Sequence, residues 1–149
     1  EALAVAEQAG VALPAAFWRY RLAEQAHRRG ALREARSLYE QSIRELDAQH
    51  AHPSVDHARA VSAILLAQQG EGEGARERLS LASGLAQGTR DDVRVFALTS
   101  AAVEALLGGA TPAQTFASHG VEPAELVAQT LLGTLCILFR GVVPGYWGV

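Results

Sequence analysis

The chain has 149 residues, 49% hydrophobic and 19% charged, with a net charge of −3 at pH 7. That length fits one domain with a real core, and so small a negative charge excludes a nucleic-acid binder driven by bulk charge. A single cysteine, Cys136, excludes an internal disulfide and a cysteine-based zinc site.

All 13 basic residues are arginine, and lysine, asparagine and methionine are absent. Such usage reads as codon bias in a GC-rich bacterial genome. A start at Glu1 rather than Met reads as a processed product or an excised fragment. The first residues lack the basic start and apolar core of a signal peptide. The longest apolar stretch, Leu126–Phe139, falls short of the roughly 20 residues a spanning helix needs. No membrane span and a cytoplasmic location are therefore expected.

In chain order, Glu1–Gln8 predicts a short Ala-rich leading helix stopped by Gly10, placed as the tail of an earlier repeat. Pro14 suits the first turn of the next helix, which runs to about Arg29 and breaks at Gly30. The following helix covers Ala31 to Ala48. Its Leu32, Ala35, Leu38, Tyr39, Ile43 and Leu46 recur at helical spacing along one stripe, with Arg33, Glu34, Arg36, Glu40, Arg44 and Glu45 on the wet faces. After the polar loop Gln49–Ser54, Pro53 opens a helix to about Gln69. Gly70–Gly74 reads as a turn and Ala75–Ala86 as a helix buried through Ala75, Leu79, Ala82 and Ala86. Thr89 with Asp92 three residues on predicts a capped helix start near Arg90, ending at Gly108-Gly109. Thr111-Pro112-Ala113-Gln114 starts a short helix that stops at Gly120. Pro123 opens a last, strongly apolar helix to about Arg140, and 141–149 is a non-helical tail.

One pattern occurs twice. Leu22, Ala23, Ala26, Gly30, Ala35, Tyr39, Ser42 and Ile43 form one copy, and Ala63, Leu66, Gly70, Ala75, Leu79 and Ala82 the other, with the pivotal glycines 40 residues apart. Each copy reads as helix, tight turn, helix, with small residues where two helices touch. The expected fold is all-α, an α-α superhelix of about three helical hairpins plus a closing helix. The domain is one helical repeat unit, 1–149: leading helix 1–12, repeats 14–50, 53–87 and 90–119 (the last degenerate), closing helix 122–140 and tail 141–149.

Leu22-Ala23, Ala26, Gly30, Ala35, Tyr39 and Ser42 resemble the tetratricopeptide repeat (TPR), whose repeat is about 34 residues. The extra length here lies in the loop Gln49-His50-Ala51-His52-Pro53. With Ser54-Val55 and Leu65-Leu66-Ala67-Gln68-Gln69-Gly70, it resembles the longer kinesin-light-chain variety. The resemblance covers about Ala15–Ala86. It implies a module that binds a peptide or helix of a protein partner in a concave groove, inside a larger bacterial signalling or regulatory protein. Carried over, the groove residues are Phe17, Tyr20, Arg21, Glu24 and Arg28 from the first hairpin and His57, Val61, Ile64 and Gln68 from the second. Val95, Leu98 and Thr99 would follow from the third. Aromatics with arginine are the types that dominate binding hot spots, and Arg21 and Arg28 would meet acidic groups.

Chemistry has weaker support. His50, His52, Asp56 and His57 are metal-ligand types, but they read as polar residues of the repeat's loop. Gly70-Glu71-Gly72-Glu73-Gly74 lacks the Gly-Lys-Ser/Thr of a phosphate loop and follows a helix. Ser54, Asp56 and His57 crowd one helix start without a nucleophile elbow. No catalytic residue, metal or cofactor is expected, and the chain reads as a non-enzyme. The alternatives are a ligand-sensing helical regulator and a homodimer joined through Leu126–Phe139.

Overall fold

The computed structural model describes residues 1–10, 12–51 and 54–122, and over these the chain is all-α. The helices are α1 (Ala2–Gln8), α2 (Ala12–Arg28), α3 (Leu32–Ala48), α4 (Ser54–Gln68), α5 (Gly72–Leu81), α6 (Arg90–Leu106) and α7 (Pro112–Ser118). A 3-10 turn, Ser83–Gln87, joins α5 to α6. The closing helix, the tail, Cys136 and the Leu126–Phe139 dimer seam lie outside the described residues, as does the opening of α4 by Pro53. Pro14 sits inside the first turn of α2, where a missing N–H costs nothing.

The turns share one construction. After α2, Gly30 N–H bonds Oof His27 and Ala31 N–H bonds O of Ala26, with Gly30 at φ +80°. Gly70 with Glu71, and Gly108 with Gly109, close α4 and α6 the same way. This is the Schellman closure, which needs a left-handed residue at its centre. Gly108 thereby identifies the pivot of the third hairpin. Left-handed residues stand every 20 positions at 10, 30, 50 and 70, and the one at 50 is His50, at φ +51°. A side chain in that region costs about 1–2 kcal/mol, whereas glycine adds freedom to the unfolded chain worth about 0.5–1. His50→Gly should therefore stabilise by about 0.5–1 kcal/mol. The check is a urea melt, in which an unchanged or lowered midpoint would contradict the strain argument.

Small residues set the packing. Ala16, Ala23, Ala26 and Ala35 are fully buried where α2 crosses α3, and Ala63 and Ala75 repeat this between α4 and α5. Tyr39 and Leu79 occupy matching places 40 residues apart. The first helices run parallel, since His27 meets Gln68 near the ends of α2 and α4 while His57 meets Asp92 near the starts of α4 and α6. Arginines tie the layers at their rims: Arg19 to Glu7 and Glu45, Arg59 to Asp47, and Arg78 to Glu40.

Helix α4 is the centre. Val55, Ala58, Val61 and Leu65 join a cluster with Ala16, Tyr20, Tyr39 and Leu46 of the first hairpin. Its Ala60, Ala63, Ile64, Leu66 and Ala67 join the other cluster, with α5, α6 and Phe116. A helix apolar on nearly all sides is one enclosed by neighbours.

The expected Gly70–Gly74 turn and Ala75–Ala86 helix are corrected: α5 begins at Gly72 and gives way after Leu81 to the 3-10 turn. Gly72 serves close approach instead, because a Cβ there would lie 3.1 Å from Cδ2 of Leu107. The 3-10 turn buries Leu85, and Ala82 just before it is buried as well. Both capping boxes form as the sequence predicts, at Thr89/Asp92 and at Thr111/Gln114.

Candidate functional site

Helix α2 places its buried and open sides by its periodicity. Tyr20, Ala23, Glu24, Ala26 and His27 turn inward, whereas Leu13, Phe17, Trp18, Arg21, Leu22 and Arg28 are exposed. Leu13, Phe17, Trp18 and Leu22 are 47%, 42%, 42% and 39% exposed, while the chain's other described large apolar side chains are mostly covered. The Phe17 ring meets the edge of Trp18 and tilts against Tyr20, which tilts in turn against Tyr39. Beside them an open pocket of about 430 Å³ is lined by Leu13, Pro14, Phe17, Trp18, Leu46, Ala51 and Ser54.

The charges of this region are held by hydrogen bonds. The Tyr20 hydroxyl donates to Oε1 of the buried Glu24 over 2.9 Å, and Arg21 pairs with Oε2. Burial, then the Glu24 carboxylate, pushes the Tyr20 phenol well above its ordinary pKa. Burial, then Tyr20, does the same to Tyr39. Arg28 is exposed and makes no ion pair among the described residues.

The sequence-predicted groove is brought together only in part. Phe17, Arg21 and Arg28 share the open side of α2, and Tyr20 and Glu24 lie beneath it. Val61 and Ile64 are 1% and 0% exposed, so they are core residues and not a lining a partner can reach. Val95, Leu98 and Thr99 are buried likewise. The physical reason is the close packing of α3, α5 and α6 around α4, which leaves no open channel along the middle of α4. His57 and Gln68 stay half-buried at its two ends, one engaged with the following layer and one with the preceding: His57 Nε2 with Asp92 Oδ1 at 2.7 Å, Gln68 Oε1 with His27 Nε2 at 2.7 Å. Sequence reasoning missed Trp18 and Leu22 as surface residues. Their helical phase, on the side away from Ala23 and Ala26, was the signal.

His27 gives the region a pH dependence. Burial lowers its pKa, against the bond to Gln68, which works the other way. The fold favours the neutral ring, so this stability is complete above the unfolded value of about 6.5 and is lost as pH falls below it. His119, lowered by burial, acts in the same direction. The melting temperature should fall between about pH 7 and 5, and should fall less in His27→Gln. Equal slopes for the two proteins would contradict this.

Among the described residues no group of three or more His, Cys, Asp or Glu is placed to hold a metal. Among them, too, no helix is long and apolar enough to cross a membrane. Comparison with family models, curated proteins and solved structures returned no match.

Proposed function

We propose that this chain is a TPR-like protein-interaction module, part of a larger bacterial signalling or regulatory protein in the cytoplasm. It captures a peptide or helix of another protein on the open side of α2. One observation carries the reading: the exposed Leu13–Phe17–Trp18–Leu22 patch flanked by Arg21 and Arg28. Exposed aromatics beside arginine make strong anchors, since an aromatic buries much area at little entropic cost and arginine grips a carboxylate with two parallel bonds. The contact lies on one helix and its flanking pocket, not along a channel through α4. The stacked hairpins supply the rigid support that makes such an anchor effective.

The test is affinity capture with the full chain as bait. Phe17→Ala with Trp18→Ala, and separately Arg21→Glu with Arg28→Glu, should each reduce recovery of the bound protein about tenfold or more. Melting curves confirm that each bait is folded. Undiminished capture by folded variants would overturn the assignment.

A further inference from the structure

We draw no further inference here: the strongest candidate, the open side of α2 where Leu13, Phe17, Trp18 and Leu22 stand exposed, carries nothing more, because it belongs to the site already described and nothing in the structure shows what covers it.

Discussion

Ile64→Ala is expected to cost about 3 kcal/mol of stability, within the usual range of about 2–5 for such a truncation. Ile64 is fully buried on the side of α4 that packs into the cluster with Ala60, Ala97 and Leu98. The change removes three carbons' worth of transfer energy and leaves a hole that fixed helices close poorly. Its neighbour Leu65, 1% exposed, faces the first hairpin instead. Leu65→Ala should cost a similar amount and, because α4 belongs to both clusters, should lower one shared transition. Chemical denaturation followed by circular dichroism measures both. A loss below about 1 kcal/mol for Ile64→Ala would mean the residue is not enclosed, and a groove lining would return as the better account of it.

Asp92→Ala should cost about 2–3 kcal/mol. One carboxylate, 8% exposed as a residue, accepts from the Thr89 backbone N–H at 2.8 Å, the Thr89 hydroxyl at 2.7 Å and His57 Nε2 at 2.7 Å. Its removal opens the capping box of α6, strips a negative charge from that helix start and leaves His57 without its acceptor. Burial pushes this carboxyl up, but the bonds from His57 and Thr89 outweigh it, and the pKa lies below the ordinary value. The stability it supplies is therefore present above the unfolded value of about 3.9 and is lost as pH falls through the lower, folded one. A double-mutant cycle with His57→Ala separates the inter-layer bond from the cap. Zero coupling would show that His57 and Asp92 do not hold α4 to α6.

The parts legible in the sequence are those decided within a few residues. Gly30 and Gly70 marked the pivots because a left-handed centre is needed just there, and Thr89/Asp92 and Thr111/Gln114 marked helix starts because a cap is a local hydrogen bond. What remained illegible depends on distant partners. Gly72 and Gly74 looked like turn residues, yet Leu107, far along the chain, is what makes glycine fit at the start of α5. Val61 and Ile64 fell on a groove-facing phase, but phase names a direction and not what stands there. Only the packing of α3, α5 and α6 around α4 decides that the direction leads into the core. The His57–Asp92 link spans 35 residues and left no local trace. For the candidate site, residue types and helical phase pointed to α2, while the loss of the α4 half came entirely from packing.

The even spacing of the left-handed centres at 10, 30, 50 and 70 bears on how such a chain lengthens. Copying 40 consecutive codons of the first two hairpins in tandem inserts one whole hairpin with the alanines and pivots still in phase. Copying 20 would exchange inner for outer rods from that point on and set polar flanks against the interior. Growth of this architecture is therefore quantised at the level of the gene, and slippage in other units is removed by misfolding.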